Sequence, residues 1–555
     1  MAFNQFPSKG GIPGGATAAR PSGPVIGDTF YNGTLGLLEI YDGTNWVPAS
    51  APAGIPSFTA VDVGTSRAYG SGAITYSITP GTNGGSPYGY TAIATSAAVV
   101  TYTTGSTAST TPTLVVAGDG SYSLSVTAFN GFGTSPAPAP QTVAVTTIPQ
   151  TPTSVTATVS TTVEETTVAW TLPNNGGKNL SSITITPYLN GTTAQTSVTA
   201  ATTSSTSFTF TNTQLTPGSA YTFKVRATNA NGAGVETVSN SITHPKYVTI
   251  SSVLLVGGGG GGGWVLAGGG GGGAVMQTNS FILNASSTVN VTVGAGGIPS
   301  TYDYSAGPAG GSSIFNGITC TGGGAGVNRN SSAANVAATA AGANGGGGSS
   351  DNAAAGGMTG KTGTAPTYPS GITGSVYAGY TGGNGVGGGP NYPGAGGAGA
   401  GGNGNTPGST NAGGGAGGSG VNINFDGNNW YWSGGGGGSA YTSGPGGNGG
   451  IGGGGGGGSA QAGGTGGGSA INSGATPANN GGNASVSVPG GNGGANSGGG
   501  GGAGPHGAGP GGNGGSGIVI IKTATAAAST TGSPTTSSSG GFNYYRFTGS
   551  GSITF

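Results

Sequence analysis

Val248-Thr249-Ile250-Ser251-Ser252-Val253-Leu254-Leu255-Val256 runs without a break into seven glycines, 257–263, and the reading of that junction decides the fold. The nine apolar or β-branched-rich residues have the make-up of a buried strand. Glycine runs of this kind ordinarily form flexible linkers, because glycine loses more entropy on ordering than any other residue. Yet the run is only the start of a long stretch: 99 of the 132 glycines, counted along the sequence, fall between Tyr247 and Ile521. A second apolar strand, Ile518-Val519-Ile520-Ile521, closes the stretch, and Trp264, Phe281, Ile282, Val291, Ile314, Phe315 and Ile318 recur inside it. A linker needs none of these, so residues 247–522 are read as an ordered domain.

An ordered glycine segment must still find partners for its backbone groups. Extended helices of three residues per turn make no internal hydrogen bonds, but without side chains they can lie side by side and bond to one another. The strict Gly-X-Y period of collagen is absent. Val253 to Gly263, Val291-Thr292-Val293-Gly294-Ala295-Gly296-Gly297 and Gly515-Ser516-Gly517-Ile518-Val519-Ile520-Ile521 together resemble the glycine-rich receptor-binding domains of phage tail fibres and adhesins. That resemblance covers about half the chain and implies a core of polyglycine II helices.

Upstream lies an internal repeat. Tyr122, Leu124, Val126, Ala128 and Asn130 correspond at one constant offset to Tyr221, Phe223, Val225, Ala227 and Asn229. Alternation with period two marks a strand with one buried face in each copy. The second copy, 148–246, adds Trp170 on an early strand and Leu215-Thr216-Pro217-Gly218 ahead of Tyr221. It resembles a fibronectin type III domain, in which such a tyrosine makes the corner hydrogen bond of a Greek-key sandwich. The first copy, 52–147, has Tyr76 in the place of Trp170 and a loop Asn83-Gly84-Gly85-Ser86-Pro87 that suits the same family. Pro136 to Pro140 and Thr147 to Pro152 are expected to be stiff joints between units.

Residues 1–51 read as a small β-rich head: Gly27 to Asn32 and Leu38 to Val47 form short strands broken by Asn-Gly and Asp-Gly turns. So small a unit must pack on a neighbour or another subunit. At the other end, 523–555, a Ser/Thr-rich linker (523–539) is expected to lead to a terminal hairpin of Phe542 to Thr548 and Ser552 to Phe555. The fold class is therefore mainly β: a head, two immunoglobulin- or fibronectin III-like sandwiches, a polyglycine II-like domain and a C-terminal hairpin.

Only 4% of the 555 residues are charged and the formal net charge is zero, which disfavours nucleic acid and anionic membranes as partners. No apolar run reaches the length of about 18 residues that a membrane span needs. The single cysteine, Cys320, permits no intrachain disulfide and is expected to be a small buried apolar residue. The first residues, Met1-Ala2-Phe3-Asn4-Gln5-Phe6, lack the pattern of a secretory signal. An extracellular composition without that signal fits a phage particle released by lysis.

Catalytic chemistry finds little support. His244 and His506 lie far apart in sequence, and Glu164 and Glu165 are neighbours on a strand and so point to opposite faces. Matches to G-x-G-x-x-G abound by chance in polyglycine and imply no nucleotide without a strand-to-helix context. No enzyme activity, cofactor or metal is expected. What remains is recognition: charges between residues 247 and 521 are confined to Asp303, Arg329, Asp351, Lys361 and Asp426, while aromatic residues gather at Tyr302, Tyr304, Tyr377, Tyr380, Tyr392 and Trp430-Tyr431-Trp432. Aromatic rings beside Asn422, Asn424, Asn428 and Asn429 suit sugar stacking or a protein hot spot. Trp430, Tyr431, Trp432, Tyr380 and Tyr392 are the candidate receptor-binding residues, with packing between subunits as the competing role.

The resemblance implies a structural virion protein: a tail-fibre or adhesin subunit, homotrimeric, docked through its N-terminus to other virion proteins. Its host-side partner is expected to be a surface glycan or an outer-membrane protein. A head or tail decoration protein and a bacterial surface adhesin are the alternatives. A polysaccharide-degrading tailspike is disfavoured by the missing pair of acids.

Overall fold

The computed structural model describes residues 13–35, 37–48, 53–81, 89–131, 133–285, 288–301, 307–329, 342–350, 358–442, 444–477, 488–507 and 509–555. Residues 1–6, the loop Asn83 to Pro87, the residues Tyr302, Asp303 and Tyr304, and Asp351 lie outside the described residues. The chain divides into two units, Met1–Pro245 and Lys246–Phe555.

In the first unit, Gly14–Gly15, Thr29–Asn32, Leu37–Tyr41 and Trp46–Pro48 make a four-stranded sheet. Phe30 and Val47 are buried on it, and Trp46 lies edge-on to Phe30 at 5.8 Å between centroids. Glu39 is 1% exposed and is held by Arg20 and Asn32, so its charge is compensated where water cannot reach it.

The two repeats fold alike. Ser57–Asp62, Gly72–Thr79 and Thr113–Val116 form one sheet of the first sandwich, and Gly89–Ser96, Thr101–Thr103, Gly120–Asn130, Gly133–Thr134 and Gln141–Val145 form the other. The second sandwich repeats the division with Thr153–Val159, Glu165–Thr171 and Ser207–Thr211 against a sheet centred on Leu180–Leu189 and Ala220–Asn229. Tyr76 and Trp170, 1% and 4% exposed, fill equivalent places in the two cores. Both corner tyrosines bond five residues upstream: the Tyr122 hydroxyl donates to the Ala117 carbonyl, and the Thr216 N–H donates to the Tyr221 hydroxyl at 3.0 Å. One expectation is corrected. Pro136 to Pro140 is no joint between units, because Gln141–Val145 beyond it still pairs with Gly120–Leu124 of the first sandwich. The prolines span a connection inside that sandwich, where a rigid extended segment must reach the last strand.

The second unit starts as a β-sandwich. Tyr247–Val256 is central to a sheet that contains Gly374–Tyr377, Val275–Thr278, Phe281–Asn284, Ile518–Thr523, Phe542–Phe547 and Thr535–Ser539. The facing sheet holds Ile318–Cys320, Ser313–Phe315, Val289–Thr292, Gly551–Thr554 and Ser529–Thr531. Val253, Leu255, Phe315, Ile318, Cys320, Phe547 and Ile553 are buried between them, each large side chain contributing about 1.5–3 kcal/mol by leaving water. The expected terminal hairpin is corrected here. Phe542–Phe547 pairs with Thr535–Ser539, part of the supposed linker, and Gly551–Thr554 crosses to the other sheet. Each face of Phe542–Phe547 carries two aromatic rings, Phe542 and Tyr544 on one and Tyr545 and Phe547 on the other, and each pair packs into a different apolar cluster.

From this sandwich the glycine segments rise as a bundle. Gly257, Gly260 and Gly263 donate to the carbonyls of Ala274, Gly271 and Gly268; Gly259 and Gly262 donate to Gly515 and Gly512; Gly258 donates to Gly311. The carbonyls of Gly260 and Gly263 accept from Gly501 and Gly504, and those of Gly258 and Gly261 from Gly323 and Gly326. Each neighbour is met at every third residue, the period of a polyglycine II helix. The same stepping carries outward, as in Gly434, Gly437 and Ala440 donating to Gly452, Gly455 and Gly458. Side chains are excluded because the helices touch: a Cβ on Gly262 would stand 1.9 Å from the Gly502 oxygen.

Candidate functional site

The glycine bundle has two unlike ends. At one, Val256, Val275 and Ile518 pass directly into Gly257, Ala274 and Gly517. This is the sheet end, where the chain enters the unit through Tyr247. At the other, helices turn at 264–267, 386–393, 441–442, 459–463 and 505–507. Their common level follows from the bonds Gly263 to Gly268, Gly504 to Gly263, Gly394 to Ser439, Ser439 to Ala267, and Gly458 to Ala503. At 3.1 Å per residue, the seven-residue helix 257–263 separates the two ends by about 20 Å.

That separation divides the five residues singled out in the sequence. Trp430, Tyr431 and Trp432 belong to the sheet end, on the strand Asn429–Trp432 paired antiparallel with Val421–Asn424. Trp432 is 1% exposed, packs in a cluster with Leu254, Val256, Val275, Ile518 and Ile520, and donates Nε1–H to the Ile423 carbonyl at 3.3 Å. The expectation of a contact residue is corrected for Trp432: its ring closes the apolar face where bundle meets sheet. Trp430, on the same face of the strand, packs against that cluster and is half-buried. Tyr431 points to the opposite face, as two-residue alternation requires, and is also half-buried. The turn of this hairpin carries Asp426, whose carboxylate receives Arg546 from Phe542–Phe547. Beside it, Lys522 Nζ stands 4.4 Å over the Phe542 ring. Tyr380 is half-buried near the sheet end, where its carbonyl accepts from Gly345 and Gly363.

Tyr392 alone of the five lies at the loop end, and there it has company that the sequence did not reveal. Its ring is 6.4 Å from that of Tyr441, which in turn lies 3.8 Å from the His506 imidazole. Three turns, at 386–393, 441–442 and 505–507, each supply one ring, and all three rings are half-buried. Tyr441 N–H donates to the Asn391 carbonyl at 2.8 Å, and Thr442 Oγ1 donates to the Pro390 carbonyl at 2.8 Å, tying two turns together. Gln461 Nε2 donates to the Thr442 carbonyl at 3.2 Å from a further turn. Tyr392 has φ of 40°, a left-handed conformation unusual for a side chain of its bulk. A detectable signal was available: Tyr441 and His506 each follow directly on a glycine-rich run, at the positions where a helix must turn.

His244 is buried in the second sandwich, with Nδ1 2.8 Å from the Thr166 hydroxyl; burial pushes its pKa down against the weaker opposing pull of Glu164. Among the described residues no group of three or more His, Cys, Asp and Glu side chains is placed to hold a metal ion. Nor is any helix long and apolar enough to cross a membrane.

Comparison with known proteins bears on both halves of the chain. The family model of the fibronectin type III domain matches residues 150–244, and that of a glycine-rich domain matches residues 234–488. The chain carries a fibronectin type III domain and a glycine-rich domain. No curated protein matches it. Among solved structures, the FN1–FN3 domains of chicken CNTN1 are 19% identical over 37% of this chain and 76% of that one, with a TM-score of 0.22. A crystal structure of domains from titin is 17% identical over 37% and 73%, with a TM-score of 0.20. The fibronectin type III match falls on the second sandwich, whose corner tyrosine is Tyr221.

Proposed function

We propose that the chain is a non-enzymatic fibre or adhesin subunit of a bacteriophage that binds the surface of the host cell through the loop end of its glycine-rich unit. The observation that carries this reading is the polarity of the bundle. A rigid array of glycine helices gathers turns of varied sequence at the end remote from the entering strand Tyr247–Val256, and binding residues are commonly carried on loops that a stiff scaffold positions. Fibronectin type III and glycine-rich domains suit a surface-binding or structural role. The near absence of charge argues for neutral partners, a host glycan or outer-membrane protein, in place of nucleic acid or lipid. In this proposal the subunit is a homotrimer of the virion, its head meets other virion proteins, and no cofactor takes part.

Fluorescently labelled full-length protein should decorate cells of the host and reduce adsorption of the particles that carry it. Absence of the chain from purified particles by mass spectrometry would defeat the virion assignment; failure to decorate cells that adsorb those particles would defeat the adhesin assignment.

A further inference from the structure

The aromatic trio at the loop end has a chemistry of its own. Tyr392, Tyr441 and His506 come from three separate turns, yet their rings form a chain with centroid spacings of 6.4 and 3.8 Å. A hydrophobic plug would be buried, whereas these rings are half-buried and keep part of their surface in water. The backbone at Tyr392 is held at φ of 40°, a conformation strained for a residue other than glycine that persists where something else over-determines it. The groups bonded around the trio, Thr442, Asn391 and Gln461, carry no charge. Thr442 and Gln461 are exposed; the Thr442 hydroxyl bonds the 386–393 turn, Gln461 bonds the Thr442 carbonyl, and the two offer a hydroxyl and an amide at the edge of the platform.

We propose that Tyr392, Tyr441 and His506 form a stacking platform for a neutral sugar of a host surface glycan, with Thr442 and Gln461 bonding its hydroxyls. This rests on the adhesin reading and gives it a ligand class. A pyranose presents one face of C–H groups to the electron-rich face of an aromatic ring, while its hydroxyls turn outward to amides and hydroxyls. A strongly acidic glycan would call for a lysine or arginine among the groups bonded into the platform, and a peptide loop for a deeper apolar pocket; the bonded rim holds neither. Rigid aromatic rings on a fixed bundle lose little freedom on binding, and several copies of a weak site add through avidity.

The test uses full-length labelled protein on host cells that are intact, oxidised with periodate to cleave vicinal diols, or shaved with protease. Intact and shaved cells should be decorated, and oxidised cells should lose at least tenfold. Tyr392→Gly removes a ring at a backbone conformation that glycine adopts freely, so it preserves the fold. It should weaken decoration at least tenfold, as should His506→Ala, while exposed Tyr69→Ala leaves decoration unchanged. Should a variant unfold, a changed melting profile identifies it, and the remaining variant, with its melting profile unchanged, decides. Decoration that survives both ring deletions overturns the platform and leaves the adhesin standing. Decoration lost with protease and kept after periodate also overturns it, in favour of a protein receptor. Cells that adsorb the particle but take up no wild-type protein overturn the adhesin reading itself.

Discussion

Arg546, on the strand Phe542–Phe547, pairs with Asp426 in the turn of the 421–432 hairpin, 120 positions earlier in the chain. The Asp426 side chain is 2% exposed and that of Arg546 25%, so the pair stitches the C-terminal strand to the base of the glycine bundle where water is largely excluded. Deleting one member of such a pair strands the other. Arg546→Ala should therefore destabilise the glycine-rich unit by about 3 kcal/mol, at the lower end for buried pairs because the arginine keeps some solvent. The double variant with Asp426→Asn should recover part of the loss in chemical denaturation; additive losses would show that the two groups act independently.

Cys320 gives a reporter for the same unit. Its thiol is fully buried, donates toward the carbonyls of Leu255 and Ala274 at 3.3 and 3.2 Å, and is pushed up to about 12 by burial. Thiolate is the reactive form, so a disulfide-forming reagent at pH 8 should leave native protein unlabelled. Labelling should appear only as the unit unfolds in denaturant. Rapid labelling of native protein would show that the sandwich opens around Ile318–Cys320.

The parts legible in the sequence are those where side chains carry a pattern. Alternation in Tyr122 to Ala128 and Tyr221 to Asn229 disclosed the repeat because each inward residue is buried and each outward one is not. The glycine stretch could be read as ordered because Val253 to Val256 and Ile518 to Ile521 bracket it, and these prove to be adjacent strands. Register was not legible. Glycine bears no side chain, so nothing in 257–263 distinguishes Gly271 from Gly501 as a partner, and the direction of each helix stays hidden. That ambiguity placed Trp430 to Trp432 with Tyr392, though the former close the sheet end and the latter lies among the turns. Phe542 to Phe547 was misassigned for a related reason: aromatic rings project from both of its faces, and only the assembled sandwich shows that Thr535–Ser539 is its hairpin partner.

His244 sets a pH dependence in the fibronectin type III domain. It is buried in neutral form, its carbonyl accepts from Gly218 and its N–H donates to Ser219. The folded-state pKa lies below the ordinary value of about 6.5, so the unfolded chain takes up the proton first as pH falls. The stabilisation is complete above that ordinary value and declines as pH drops through it toward the folded value. Glu164 opposes the shift and moderates the effect. Protection of the amides in 216–244, the exchange rate normalised to the intrinsic rate at each pH, should fall between pH 7 and pH 5. His244→Gln should flatten the dependence; an equal slope in that variant would assign it to another group.

The glycine bundle predicts a sharp contrast between two substitutions that look alike in sequence. Gly262 lies within the bundle, donating to Gly512, and a Cβ there would meet the Gly502 carbonyl oxygen at 1.9 Å with backbone on every side. No flexible side chain is available to yield, so the helices must separate and several hydrogen bonds must lengthen together. Gly468 sits at the margin, accepting from Gly452, and a Cβ there has nothing within 4 Å. Gly262→Ala should cost about 3 kcal/mol or more, beyond the usual range for an added methyl in a packed core. Gly468→Ala should be neutral or stabilise by about 0.4–1 kcal/mol, because alanine narrows the unfolded ensemble. Denaturation of the two variants, followed by Cys320 labelling, measures both. Equal tolerance at the two positions would mean that the chain holds its glycines for flexibility, and the close-packed bundle would have to be abandoned.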